Sequence, residues 1–187
     1  MHWQLHLESN NPTVIKWLKE TQKLSEALRS VLANWQISLL SQKNKPINAI
    51  HQNLLKTDEK NAWVRTIAHY NDQTPLILGR VVIAKHVFDI YEDQLLSLKS
   101  RSIGDKLLFC DPHLKRSDFL YAQFNTQDDY LNDYPRELLK PTDIKKESQN
   151  IIARSSVFKL KGVDSVLVEE FFLDNFFELI KNKSEII

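Results

Sequence analysis

The chain has 187 residues, of which 42% are hydrophobic and 10% aromatic, and its formal net charge is +1. This length and composition predict a single domain, 1–187, with a substantial core. The balance of 25 basic and 24 acidic residues gives no electrostatic footprint for nucleic acid or an anionic membrane. With only three glycines, the chain has no Gly-rich phosphate loop.

Several features predict a cytoplasmic protein without stable membrane insertion. No apolar run approaches the roughly 20 residues that a membrane-spanning helix needs. The first residues lack the basic and apolar segments of a secretory signal. Cys110 is the only cysteine, which excludes an internal disulfide.

The first half of the chain predicts helices followed by a hairpin. Asn11-Pro12 is typical of a helix start, and apolar residues then recur at helical spacing. Alternation from Trp35 onwards indicates a strand, and β-branched runs on either side of an Asn-Asp-Gln-Thr-Pro turn indicate a hairpin. The expected elements are helices 12–20 and 24–34, a strand 35–39, a polar surface connection 41–60, and hairpin strands 62–70 and 76–84.

The second half predicts two helices, a further strand and a last hairpin. Its elements are helices 88–99 and 105–110, a strand 117–124, a long loop 125–150, and hairpin strands 155–160 and 165–173 joined by a turn at 161–164. Antiparallel hairpins with helices between them predict an α+β fold with an antiparallel sheet, rather than parallel βαβ units.

Two arginines of the first hairpin suggest an anion site. If Asp72-Gln73 is the turn centre, Arg65 and Arg80 face each other across the ladder. Like charges directly opposite destabilise a sheet, and a bound carboxylate between them would relieve the repulsion. The inference depends on register, because a shift of one residue places the two side chains on opposite faces. A solvated sheet face with packed arginine stems is the alternative.

Adjacent acidic residues lie inside the last predicted strand, in Val168-Glu169-Glu170-Phe171. Strand alternation sends one carboxylate to each face, so one of them lies among the side chains of the inner face. Such a carboxyl group could serve as an acid or a hydrogen-bond donor. Periodicity does not tell which glutamate points inwards, and an edge strand with two wet faces is the alternative. The six histidines show no metal-ligand spacing.

Taken in order, several short segments resemble the chorismate–pyruvate lyase family, over about residues 12–173. They are Trp63-Val64-Arg65, Leu78-Gly79-Arg80-Val81-Val82, Ile103-Gly104 with Leu107-Leu108-Phe109, Arg116 with Asp118-Phe119, Ala153-Arg154-Ser155-Ser156, and Val168-Glu169-Glu170-Phe171-Phe172-Leu173. The tail 174–187 is extra, and 125–152 is longer than the family's usual connection.

The resemblance implies an enzyme that converts chorismate to 4-hydroxybenzoate and pyruvate, for ubiquinone synthesis. It implies that Arg65 binds the ring carboxylate, that Arg80 adds positive charge nearby, and that Glu170 rather than Glu169 lies beside the ether oxygen. Backbone groups of Leu24 and Ile103, on two helical flaps that cover the ligand, would complete the carboxylate site. A monomer is expected, and no metal or cofactor is needed because aromatisation drives the elimination.

Two other functions remain open from the sequence. Effector-binding domains of some transcription regulators share this fold type, so the fold alone does not give the function. Such regulators normally carry an N-terminal DNA-binding domain, and only about a dozen residues precede the matched region here. An aromatic-acid carrier with the Phe-rich last strand as its pocket wall is the third possibility.

Overall fold

The computed structural model describes residues 3–140, 150–162 and 164–184. Residues 141–149 of the predicted loop, and Val163 of the predicted turn, lie outside this part of the chain. The elements in chain order are α1 (Pro12–Ile15) with a π-helical turn (Lys16–Glu20), α2 (Leu24–Val31), β1 (Trp35–Pro46), α3 (Ala49–Leu55), β2 (Asn61–Asn71), β3 (Thr74–Ala84), α4 (Lys85–Leu96), α5 (Ile103–Lys106), β4 (Lys115–Arg116), β5 (Leu120–Asn125), β6 (Asn150–Leu160), β7 (Asp164–Phe172) and α6 (Asp174–Ser184). Short 3₁₀ turns follow α5 and β5, at Leu108–Cys110, Asp129–Leu131 and Arg136–Leu139.

The described strands form one sheet in which every pairing is antiparallel. Its order is β1-β2-β3-β7-β6-β4, and β5 also pairs with β6. The predicted α+β class with an antiparallel sheet is therefore confirmed. Strands β3 and β7 lie in the middle and are buried on both faces, which explains their nearly continuous apolar sequences.

Helices cover one face of this sheet, which we call the front face and which carries Ile67, Gly79 and Val168. At one end of it, the segment 12–31 and α6 pack around Leu28, Phe172 and Phe176. At the other end, α4 and α5 pack around Trp63, Tyr91 and Val166. We call residues 12–31 the first flap and residues 103–110 the second flap.

The opposite, rear face is covered by α3 and by the segment that follows β5. Helix α3 contributes Leu55 to a cluster with Val82 and Leu167. The second segment contributes Leu131 and Tyr134, which pack with Phe171. Both faces are thus covered, and this places charged side chains of the central strands in the interior.

Most predicted elements are present, but the segment 41–60 is not a surface connection. Strand β1 continues to Pro46, and α3 follows it. The strand is polar because it lies at the edge of the sheet and is only partly buried. Helix α3 was missed because its seven residues are too few for a clear helical period. Asn48 caps it by accepting a hydrogen bond from the His51 N–H at 3.0 Å.

The structure corrects the predicted pairing of Arg65 with Arg80. Asp72-Gln73 is the turn centre, and Tyr70 pairs with Pro75, but His69 then pairs with Ile77. Leu76 is therefore an extra residue, and this β-bulge shifts the register by one. Arg65 pairs with Val81 and lies on the front face, whereas Arg80 pairs with Thr66 and lies on the rear face. The two arginines do not face each other.

The tail beyond residue 173 forms α6 and belongs to the core as far as Ile180. Phe176 is fully buried, and its ring packs edge-to-face on Trp17 with the centroids 4.9 Å apart. Helix α6 therefore supports the first flap from behind.

We expect Phe176→Ala to lower the free energy of unfolding by about 3–5 kcal/mol, because it removes a buried aromatic ring and leaves a cavity. Urea denaturation followed by tryptophan fluorescence would measure the change. Glu178→Ala, at an exposed position of the same helix, is the control and should change stability little. A loss below about 1 kcal/mol for Phe176→Ala would contradict the packing of α6 described here.

Candidate active site

A cavity of about 60 Å³ lies between the front face of the sheet and the two flaps. Its floor includes Gly79 and Glu170, and its cover includes Leu24 from the first flap and Ile103 from the second. This volume leaves room for only a few water molecules. The flaps are therefore closed, and a larger ligand requires one of them to move.

A glycine keeps the floor of this cavity open. Gly79 pairs with Ile67 on one side and with Glu170 on the other. A Cβ at position 79 would lie 2.9 Å from Cγ1 of Ile67, closer than ordinary packing allows. Any larger residue would therefore displace Ile67 and intrude on the space beside Glu170.

Glu170 is held in place by Arg154, its direct partner across the β6–β7 ladder. Nε of Arg154 donates to Oε2 of Glu170, and Nη1 donates to the carbonyl oxygens of Trp17, Leu18 and Thr21 at 3.0, 3.1 and 2.6 Å. Arg154 is 1% exposed. One buried guanidinium thus joins the carboxylate of the floor to the backbone of the first flap by charge-assisted hydrogen bonds.

Arg154 was not among the predicted site residues. The predicted turn at 161–164 would pair Leu160 with Ser165 and would place Arg154 opposite Phe171. The last hairpin pairs Leu160 with Asp164 and has no bulge. Counting back six residues on each strand from this pair brings Arg154 opposite Glu170. An arginine directly across from a carboxylate on a covered face is a strong candidate for an ion pair.

Arg65 lies on the same face but holds the other flap. It is 1% exposed, and its guanidinium donates to Oε1 of Gln42 at 3.0 Å, to the Arg101 carbonyl at 3.2 Å and to the Lys99 carbonyl. Within the described residues it has no carboxylate partner, and burial lowers its pKa to about 10. Arg65 does not line the closed cavity, whereas Val81, directly opposite it, does. A buried cation with only neutral partners is a favourable place for an anion.

Two helix starts present free backbone N–H groups at the cavity. Leu24 is the first residue of α2 and Ile103 is the first residue of α5, and both are buried. The preceding residues, Lys23 and Ser102, make no side-chain capping hydrogen bond. The first N–H groups of a helix have no acceptor within it, so they are available to a ligand oxygen.

Arg80 borders the cavity, but its guanidinium lies on the rear face in a separate charged cluster. Its Nη1 is 3.2 Å from Oε2 of Glu169, its Nε is 3.1 Å from Oδ2 of Asp133, and its Nη2 donates to the Tyr130 carbonyl at 2.6 Å. Burial opposes ionisation of Glu169, but the Arg80 charge and hydrogen bonds from His51 and Tyr130 lower its pKa overall. Arg80 and Glu169 thus border the cavity, but their charges are paired with each other on the rear face.

His69 lines the cavity as a neutral ring. Burial lowers its pKa to about 4. The Trp35 indole N–H donates to its Nδ1 at 3.2 Å, which assigns the ring proton to Nε2. Nε2 is 4.0 Å from the position that a Cβ of residue 79 would occupy. His69 therefore adds an uncharged donor at the floor.

Comparison with known proteins identifies the family. The family described as "Chorismate lyase" matches residues 2–181, nearly the whole chain. The chain belongs to the chorismate lyase family. A probable chorismate pyruvate-lyase of Pseudoalteromonas translucida (strain TAC 125) is 28% identical over 156 residues, which cover 83% of this chain and 82% of that protein.

Solved structures resemble this chorismate lyase family member in fold alone. The C-terminal domain of PhnF superposes with a TM-score of 0.58 at 14% identity, over 74% of this chain and 82% of that one. The possible transcriptional regulator YydK of Bacillus subtilis superposes with a TM-score of 0.51 at 12% identity, over 76% of this chain. The matched region spans 59% of YydK.

Four of the five predicted site residues of this chorismate lyase family member line one cavity. They are Leu24, Arg80, Ile103 and Glu170. Arg65 lies beside it on the same face, and the guanidinium of Arg80 lies on the other face. In the part of the chain that is described, no helix is long and apolar enough to span a membrane, and no group of three His, Cys, Asp or Glu side chains is arranged to hold a metal.

We expect His69 to make the protein less stable in mild acid. Its pKa in the folded state, about 4, lies below its ordinary value of 6.5, so the unfolded state binds the proton first as the pH falls. Stability is therefore lost between these two values, by about 2 kcal/mol from about pH 7.5 to about pH 5. Urea titrations at both pH values should show this loss in the wild type and not in His69→Gln. Exposed His113→Gln is the control; if His69→Gln keeps the full pH dependence, His69 is not the group responsible.

Proposed function

We propose that this protein is a chorismate–pyruvate lyase that eliminates pyruvate from chorismate and releases 4-hydroxybenzoate. The observation that carries the proposal is the front-face cavity itself, where the Glu170–Arg154 pair forms part of the floor. Arg65 stands beside it with no anionic partner among the residues that the structure describes. Membership of the chorismate lyase family supports the same reaction. A cytoplasmic monomer that supplies 4-hydroxybenzoate for ubiquinone synthesis remains the prediction for its cellular role.

The proposed binding mode uses the groups that the flaps and the sheet leave available. Arg65 would exchange its carbonyl partners for the ring carboxylate. The planar guanidinium of an arginine can donate two parallel hydrogen bonds to a carboxylate. The N–H groups of Leu24 and Ile103 would donate to the same anion. Arg80 is not part of this mode, because its charge is taken up by Glu169 and Asp133 on the rear face.

The elimination breaks the bond between the ring and the ether oxygen of the enolpyruvyl group. It also removes a proton from the neighbouring ring carbon, and the ring becomes aromatic. Glu170 accepts a hydrogen bond from the Arg154 guanidinium, so we assign it as the carboxylate that receives this proton. The proton is balanced by the one that the methylene carbon of enolpyruvate gains as it becomes pyruvate.

Position and electrostatics supply the catalysis in this scheme. Arg154 fixes the orientation of Glu170 against the floor, and Arg65 fixes the ring relative to that carboxylate. Closure of the flaps excludes water, which strengthens each charge interaction inside the cavity.

The alternative is a non-catalytic domain that senses a small aromatic acid. The fold alone, which resembles the C-terminal domain of PhnF, does not distinguish it from the enzyme. It would need the cations and the closing flaps but would have no use for a carboxylate placed at the scissile bond. Turnover separates the two functions.

The direct test is incubation of the purified protein with chorismate, without added metal or cofactor. We expect 4-hydroxybenzoate and pyruvate to appear in equal amounts, measured by chromatography and by a coupled pyruvate assay. A protein-free sample corrects for spontaneous breakdown of chorismate. Binding of 4-hydroxybenzoate without any turnover would support the sensing function instead.

The two adjacent glutamates give an internal comparison. Glu170→Gln should lower kcat by about 10²–10⁴-fold, because it removes the proton acceptor. Glu169→Gln should change kcat little but should destabilise the fold, because Arg80 would keep its buried charge with less compensation. Steady-state kinetics and urea denaturation of both variants would measure these effects. The reverse order of effects on kcat would contradict the assignment of Glu170.

A further inference from the structure

Arg116 is a cation of the cavity wall that the proposed mechanism leaves without a role. It ends β4, is half-buried, and donates to the Gln22 carbonyl at 3.2 Å and to Oε1 of Gln22. Its guanidinium carbon lies 4.2 Å from the ring centroid of Phe119 and 5.8 Å from that of Phe158. All these partners are neutral, and no carboxylate of the described residues lies within ion-pair distance of Arg116.

One further cation, Arg154, acts on Arg116, as do two carboxylates, Glu170 and Asp118, neither of which forms an ion pair with it. Arg154 also contacts Phe119, with its guanidinium carbon 4.4 Å from the ring centroid. Two guanidinium groups thus share one ring, while the carboxylate of Glu170 is engaged by Arg154. Burial and the Arg154 charge lower the pKa of Arg116. Asp105, a further acid at the cavity, is paired with Arg29 at 2.9 Å. An added anion beside Arg116 would therefore be stabilised.

Arg116 also stands where the closed cavity meets the outside. It lines the cavity of about 60 Å³, and it lines two outer grooves of about 540 and 600 Å³ as well. A group bound at Arg116 can thus extend from the inner cavity towards solvent. Arg65 and Gln42 line neither groove, so the two candidate cations lie at different places around the cavity.

We propose that Arg116 binds the second carboxylate of a dicarboxylate substrate, the one that leaves with the three-carbon fragment. This inference rests on the proposed function, in which Arg65 takes the ring carboxylate and Glu170 faces the reacting carbons. The product 4-hydroxybenzoate has one carboxylate, so it needs Arg65 and makes no use of Arg116. Arg116 therefore distinguishes substrate from product.

The chemistry of the leaving group fits this position. When the bond between the ring and the ether oxygen breaks, its electron pair stays on that oxygen and gives an enolate adjacent to the carboxylate. The guanidinium fork can donate hydrogen bonds to the enolate oxygen and to a carboxylate oxygen. Its charge offsets the negative charge that develops. Binding would replace the contacts of Arg116 with Gln22, a residue of the first flap, so the leaving group would also loosen one attachment of that flap.

The test compares substrate and product affinity in matched charge variants. Arg116→Gln should raise KM for chorismate about tenfold or more, because a charge-assisted hydrogen bond is lost, and should change inhibition by 4-hydroxybenzoate less than about twofold. Arg116→Lys should be intermediate, because it keeps the charge without the fork. Lys115→Gln removes the same charge one residue away, at an exposed position that does not line the inner cavity, and should leave both constants unchanged. Arg65→Lys should weaken substrate and product together.

Three outcomes would overturn the inference. One is an unchanged KM for chorismate in Arg116→Gln, another is an equal loss of chorismate and 4-hydroxybenzoate affinity, and the third is an equal effect of Lys115→Gln. Thermal melts identify any variant that has lost its fold. If Arg116→Gln is unfolded, the affinities of Arg116→Lys for chorismate and 4-hydroxybenzoate are compared instead. If the wild type does not turn over chorismate, the proposed function fails together with this inference. Wild-type turnover with an unchanged Arg116→Gln variant would overturn the inference alone.

Discussion

The register of β3, β7 and β6 is the constraint on which the rest of the site depends. It places Gly79, Glu170 and Arg154 in a row on the front face, and Arg80 with Glu169 on the rear face. Each adjacent glutamate therefore has its own arginine, and both arginines are 1% exposed. A slip of one residue would separate both pairs and leave buried charges uncompensated, at a cost of several kcal/mol. The rear cluster thus contributes to the active site by fixing which glutamate faces it.

The arginines of the front face attach the flaps through carbonyl oxygens rather than carboxylates. Arg154 binds the backbone of the first flap itself, and Arg65 binds the backbone just before the second. Carbonyl oxygens are weaker partners for a guanidinium than carboxylates are. An entering anion therefore competes directly with a flap attachment, and binding and flap position become linked. Such an anion can shift the position of a flap only by the difference between its affinities for the two flap positions.

The sequence was sufficient for the hairpins and insufficient for their details. β-Branched runs around Asp72-Gln73 gave both strands of the first hairpin, but no local signal marked Leu76 as a bulge. Because of this extra residue, the side chains of Arg65 and Arg80 lie on opposite faces of the sheet. The start of the edge strand β1 was predicted, but its polar continuation to Pro46 was missed, as was α3, whose seven residues are too few for a clear helical period. The resemblance to the family supplied Leu24, Ile103 and Glu170, which line one cavity. The last hairpin was predicted with Asp164 in its turn, so its expected register did not bring Arg154 opposite Glu170.

Charge balance explains how one cavity can favour the proposed reaction over simple binding. The front face offers Arg65, Arg116 and Arg154, and Glu170 neutralises one of them. The two remaining cations match the two negative charges of a dicarboxylate, so the bound complex would be neutral overall. Elimination divides these two charges between two fragments, so each fragment is held by fewer contacts than the intact substrate was. The three-carbon fragment, bound at the mouth, would depart first, and the aromatic acid would stay beneath the closed flaps. Release of the aromatic acid then depends on the same flap attachments that its carboxylate displaces.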